Sequence, residues 1–233
     1  MSMEAPRRFY KQARLSDDGF GVALDARALK TPGGAVVKLP TRALAEAVAA
    51  EWEAQGETLT PWRMPLTRLV NVAIDQTPSK RDALAAHIAK YGETDLLCHR
   101  AEGPPPLVER QNATWDPILA WAKDAIGVRL PVVEGVIAAD VPGAELEKLS
   151  AAAAVLDDFR ITGLAHAVGV AGSVLIGFAL LHGRLGGEAA FAAAALDEQW
   201  SLEKWGEDDE ARRRVERMRD ELASLARYFA ALA

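Results

Sequence analysis

Asp197, Glu198, Glu203, Glu207 and Asp208 crowd carboxylates into one short stretch that also carries Trp200 and Trp205. Such side chains suit binding: carboxylates take arginine or lysine through charge-assisted hydrogen bonds, and tryptophan edges cover the apolar area beside them. At about 3.6 residues per turn, Phe191, Glu198, Leu202 and Trp205 share one helical stripe, so Glu198 projects among apolar neighbours and needs a partner. An internal Arg or Lys would be the structural solution, and a cation on another protein the functional one. Leu196 and Trp200 lie nearly opposite, giving the helix two apolar faces. The acids from Glu207 to Glu210 also suit a helix N-terminus, where the backbone dipole favours negative charge.

Other candidate chemistry is weaker. Cys98 and His99 adjoin, which raises a thiol nucleophile with a nearby base and a small cytoplasmic enzyme as the rival reading. Neighbours on a helix point about 100° apart, so they would not pair naturally. Glu93 and Asp95 could form a carboxylate pair for acid or base work, with no positioned partner to support them. Ser173 sits in Ala-Gly-Ser-Val rather than a Gly-x-Ser-x-Gly elbow, and no glycine loop has the spacing of a phosphate cradle. The Cys and His spacing does not resemble a zinc site. No catalytic residue, cofactor or metal is therefore expected.

The 233 residues are 50% hydrophobic and 26% charged, a globular composition, with a formal net charge of −6. Lys and Arg are dispersed, so the basic footprint of a nucleic-acid binder is missing. A basic protein partner suits the chain better. The single cysteine cannot close an internal disulfide, consistent with a reducing cytoplasm, and the first ten residues lack a secretory apolar core. Residues 161–183 carry no Asp, Glu, Lys or Arg, long enough to cross about 30 Å of hydrocarbon. The interrupting Thr162, His166, Ser173, His182 and glycines favour a central helix buried on all sides over stable membrane insertion.

The elements that must position these residues fall into an α+β chain. From Phe9 to Leu39, short apolar runs broken by Asp17-Asp18-Gly19, Asp25-Ala26-Arg27 and Thr31-Pro32-Gly33-Gly34 predict a small antiparallel sheet. Phe20, Val22 and Leu24 alternate as a half-buried strand would. Thr41 is a natural N-cap for a helix through Glu53 with Leu44, Val48 and Trp52 on one face, and Gly56 is its stop. From Leu66 onward helical patterns dominate, punctuated by Thr77-Pro78-Ser79, a stiff Gly103-Pro104-Pro105-Pro106 linker and Asp140-Val141-Pro142-Gly143. Six or seven helices are expected there. The last, near Asp208 to Leu232, places Val215, Met218, Leu222, Leu225 and Phe229 on a core-facing stripe. A β-rich unit with one helix over 1–60 and a helical unit over 61–233 follow from this reading.

Several stretches, taken in order, resemble one family. They are Arg8-Phe9-Tyr10-Lys11, Leu24-Asp25-Ala26-Arg27-Ala28-Leu29-Lys30-Thr31-Pro32, Ala50-Glu51-Trp52-Glu53-Ala54-Gln55 and Met64-Pro65-Leu66-Thr67. Tyr91-Gly92-Glu93-Thr94-Asp95-Leu96-Leu97-Cys98-His99-Arg100, Trp115-Asp116-Pro117-Ile118 and Glu203-Lys204-Trp205-Gly206 continue the series. On these the chain resembles the assembly chaperones of the F-type ATP synthase, which hold the α subunit of the soluble catalytic head before it joins β. The resemblance implies a small β-rich domain before a larger helical one, no enzymatic activity, and binding of unassembled α subunit. It also implies an essential acid after a leucine, shortly before the Trp-Gly pair. Asp197 after Leu196 matches that position, where the family pattern favours Glu, while the stripe argument selects Glu198, so both stand. Trp52, Asp95 and Trp115 enter as structural or partner-supporting residues. Mitochondrial members carry a targeting segment that this chain lacks, which suggests a bacterial cytoplasmic member.

Overall fold

Two residues with positive φ reverse the chain near its start, Gly19 at 77° and Asp25 at 53°. Asp25 tolerates the left-handed region because its carboxylate is held by local backbone N–H groups, those of Lys11 at 3.1 Å and Gln12 at 3.0 Å. These turns join β1 (Ala13–Leu15), β2 (Val22–Leu24) and β3 (Arg27–Ala28), an antiparallel sheet in the order β1-β2-β3. The computed structural model describes residues 6–135, 137, 139–206 and 209–233. In it the chain forms two compact units, Met1–Lys80 with Ala230–Ala233, and Arg81–Phe229.

The first unit is more extensive than the sequence suggested. Helix α1 (Arg42–Glu53) starts where expected, with Thr41 Oγ1 accepting the Leu44 N–H at 3.1 Å, and it packs on β1 and β2 with Leu44 and Val48 fully buried. That cover explains why β2 does not alternate. Val22, Ala23 and Leu24 are all buried, and Phe20 lies outside the strand, partly exposed. Helix α2 (Pro65–Asp75) belongs here too. Proline opens it, and its free first-turn N–H groups at Leu66 and Thr67 donate to Glu51 of α1 at 2.8 Å each. Asp75 at its other end accepts from Thr31 Oγ1 at 2.6 Å and Gly33 N–H at 2.8 Å. These ties carry the unit to Lys80, about twenty residues beyond the break expected near residue 60.

The second unit contains α3 (Arg81–Lys90), α4 (Pro105–Ala125), α5 (Gly143–Ala154), α6 (Asp158–Ala171), α7 (Val174–Leu181), α8 (Gly187–Ala194), α9 (Leu196–Trp205) and most of α10 (Asp209–Ala231). A parallel pair, β4 (His99–Arg100) with β5 (Val133–Glu134), sits among them. Counted with α2, nine α-helices among the described residues from Pro65 onward exceed the six or seven expected there, and two breaks account for much of the difference. The apolar run over 161–183 is not one helix: Gly172, at φ 64°, closes α6, and Ser173 opens α7 by accepting the Ile176 N–H at 3.1 Å. Among the described residues no helix is long and apolar enough to cross a membrane. The second break, at Ala195, puts Phe191 on α8 and removes it from the stripe of α9. The proline stretch is only partly a linker, since Pro105 and Pro106 form the first turn of α4. Helix α10 follows its pattern, with Leu222, Leu225 and Phe229 buried and Val215 and Met218 half-buried.

Candidate docking site

Helix α9 is anchored by the two apolar residues assigned to its far side. Leu196 and Trp200 are buried, and the Lys204 ammonium lies 4.8 Å from the centre of the Trp200 ring. Trp200 thus packs as a core residue in this chain, where the sequence offered it as a partner-binding one. Trp205, one turn further on, is 80% exposed. Gly206, at φ 90°, ends the helix, and the candidate acids Glu207 and Asp208 lie outside the described residues.

The three described acids of α9 meet different fates. Glu198 is committed to Arg214 of α10, which donates from Nε at 2.9 Å and also from Nη2. The apolar-stripe carboxylate therefore has the internal arginine that its placement called for. Glu203 takes Arg110 of α4 at 2.9 and 3.0 Å, both side chains substantially open to solvent. Asp197 takes a neutral amide: Gln111 Nε2 donates to its Oδ1 at 2.7 Å. Among the described residues it forms no ion pair. Half-buried, Asp197 lines an open cavity of about 540 Å³ with His99, Arg100, Leu107, Gln111 and Gly135. The arginine in that lining is already occupied, with Arg100 Nη2 on Asp116 at 2.8 Å, Nη1 on Asn112 at 2.9 Å and Nε on the Leu97 carbonyl at 3.1 Å.

Asp95 and Trp115 are brought inside and face no partner. Asp95 is fully buried, accepting from Leu97 N–H at 2.9 Å, Ser173 Oγ at 2.8 Å and Leu175 N–H at 3.2 Å, so it ties the turn before β4 to the start of α7. Burial pushes its carboxyl up to about 6 despite those donors. Trp115 is fully buried, donates from Nε1 to the Ala193 carbonyl at 2.9 Å, and carries the Arg100 guanidinium over its ring at 5.1 Å. In the first unit Trp52 packs at a tilt on Tyr10, 5.7 Å between ring centres, and Tyr10 donates its hydroxyl to the Trp52 carbonyl.

The rival chemistry has little to work with. The Cys98 thiol is buried and pushed up to about 12, first by desolvation and then by Asp95, so the nucleophilic thiolate is strongly disfavoured at neutral pH. Glu93 lies within the short turn Tyr91–Thr94 and Asp95 directly follows it, committed to backbone and Ser173. The described residues group no three His, Cys, Asp or Glu side chains as a metal site. Sequence reasoning missed Gln111, Arg110 and Arg214, the residues that sort the α9 acids. A fully buried glutamine inside an amphipathic helix is a signal that could have singled out Gln111.

Comparison with known proteins agrees with this architecture over nearly its whole length. The family model described as ATP12 chaperone protein matches residues 7–123. The crystal structure of Atp12 from Paracoccus denitrificans superposes with a TM-score of 0.90 at 37% identity, covering 98% of this chain and 99% of that one. A solved protein from Agrobacterium tumefaciens gives 0.88 at 36% identity, covering 98% and 87%. The mitochondrial atp12 protein of Schizosaccharomyces pombe is 27% identical over 219 residues, 88% of this chain and 75% of its own length. The class these define is a chaperone built from a small sheet-containing part and a larger helical one. The chain belongs to the ATP12 chaperone family, assembly chaperones of ATP synthase.

Proposed function

We propose that this chain holds the unassembled α subunit of the F-type ATP synthase head in the bacterial cytoplasm, covers its β-facing surface, and releases it when β arrives. Family membership supports the assembly role, and one observation carries the site: Asp197 is the described acid of α9 without a cationic partner, and it lines an open cavity. A lysine or arginine side chain of α entering that cavity gains a charge-assisted bond, while Gln111 keeps the carboxylate oriented. Glu198 and Glu203 already hold arginines of their own chain and have little left to offer a partner. Trp205 contributes exposed apolar area at the end of the same helix, which suits cover for a surface that would otherwise aggregate.

The role is one of binding, with no catalytic step and no cofactor. It is tested by co-expressing the chain with α from the same organism, isolating the soluble complex by size exclusion, and adding purified β. Co-elution followed by transfer of α into an α–β complex is the expected result. A chain that neither keeps α soluble nor co-elutes with it would refute the reading.

A further inference from the structure

The first unit holds an apolar cavity of about 610 Å³ whose walls include Leu24, Leu29, Trp52, Leu59, Pro61 and Met64. That volume lies within the range of about 300–1,000 Å³ typical of ligand sites. Among the described residues its charged lining is of one sign: Arg27, Lys30 and Arg68 border it, no Asp or Glu does, and none of the three cations makes a side-chain hydrogen bond or ion pair. Apolar surface also continues outward: Phe9 in the lining is 64% exposed, and Trp62, next to Pro61, is 72% exposed. The wall contains, at Trp52 Nε1, a buried donor without an acceptor, a feature that stability alone would select against.

We infer that this cavity is a second docking site, taking a segment of a partner chain that presents a bulky apolar side chain flanked by carboxylates. The apolar walls receive the anchor, and the three unpaired cations receive the flanking charges. Exposed aromatics running past the mouth favour an extended peptide over a compact small molecule. Each cation comes from a different part of the unit, Arg27 from β3, Lys30 from the turn after it and Arg68 from α2, so the charge lies on a rim and not at a point. The inference is independent of Asp197: either site can fail without the other.

The test is nuclear magnetic resonance on the whole ¹⁵N-labelled chain, following the Trp52 indole N–H assigned through Trp52→Phe. The probes are an acetylated pentapeptide of alternating leucine, glutamate and phenylalanine, its counterpart with lysine in place of glutamate, and dodecanoate. The acidic peptide is expected to move the Trp52 signal saturably, the lysine peptide is not, and Arg27→Glu with Lys30→Glu and Arg68→Glu is expected to weaken binding by about ten-fold. Those substitutions are on exposed side chains and leave the fold intact for comparison. The inference is overturned if the signal ignores the acidic peptide at millimolar concentration, if the lysine peptide binds equally well, or if dodecanoate alone shifts it.

Discussion

Gln111 and Asp197 are joined side chain to side chain, Nε2 to Oδ1 at 2.7 Å, across 86 residues of sequence, and the pair is a charge held by a neutral group. Such a pair orients a carboxylate without spending it. Gln111→Ala should keep the fold but let the Asp197 side chain turn freely, weakening α binding by about three- to ten-fold. Gln111→Lys should weaken it further by supplying the missing cation from within. Affinity of each variant for α, measured against wild type, checks the order.

The Glu198–Arg214 pair predicts the opposite pattern. With Arg214 more than half exposed and Glu198 mostly covered, Glu198→Gln should cost about 0.5–1 kcal/mol of stability and leave α binding near wild type. Denaturant unfolding beside the same binding assay separates the two effects.

Asp95 makes the stability of the second unit pH-dependent. Its carboxyl stands at about 6 in the folded chain against an ordinary 3.8, so the folded state favours the protonated form. The stabilisation from this group is complete below about pH 4 and is lost as pH rises through about 6. The difference in unfolding free energy between wild type and Asp95→Asn should therefore shift across that window. Asp95→Ala orphans the buried Leu97 and Leu175 N–H groups and should cost about 2–4 kcal/mol. Thermal melts across the pH range provide the measurement.

Gly187, at the start of α8, allows close approach to α10. A Cβ there would sit 2.7 Å from Ala223 Cα and 3.1 Å from its nitrogen, backbone atoms that cannot rotate away. Gly187→Ala should destabilise by about 1–3 kcal/mol, read as a lower unfolding midpoint with the secondary structure retained.

Much of the fold was legible because local chemistry set it. The Thr41 cap, the α1 face of Leu44 and Val48, the turns at Gly19 and Asp25, and the stripe on α10 are each decided within a few residues. The break at Gly172-Ser173 was missed although glycine followed by serine is a stop-and-start signal, because a long run without charged residues masks two buried helices as one. The extent of the first unit depended on Glu51 reaching Leu66 and Thr67, and the alternation expected at Val22 was lost to α1 lying over the sheet. The proposed site was legible as a cluster of acids but not as the set of pairings those acids make. Which acid is free depends on Arg110, Gln111 and Arg214, and two of these stand on a helix some 90 residues away in sequence. No local periodicity carries that information.

The most direct measurement is the share of α subunit that stays soluble and co-elutes when co-expressed with the wild-type chain, Asp197→Lys or Glu198→Gln. Wild type and Glu198→Gln should carry α through size exclusion, and Asp197→Lys, folded by circular dichroism, should leave it in the pellet. Retention of α by Asp197→Lys at the wild-type level would contradict the account.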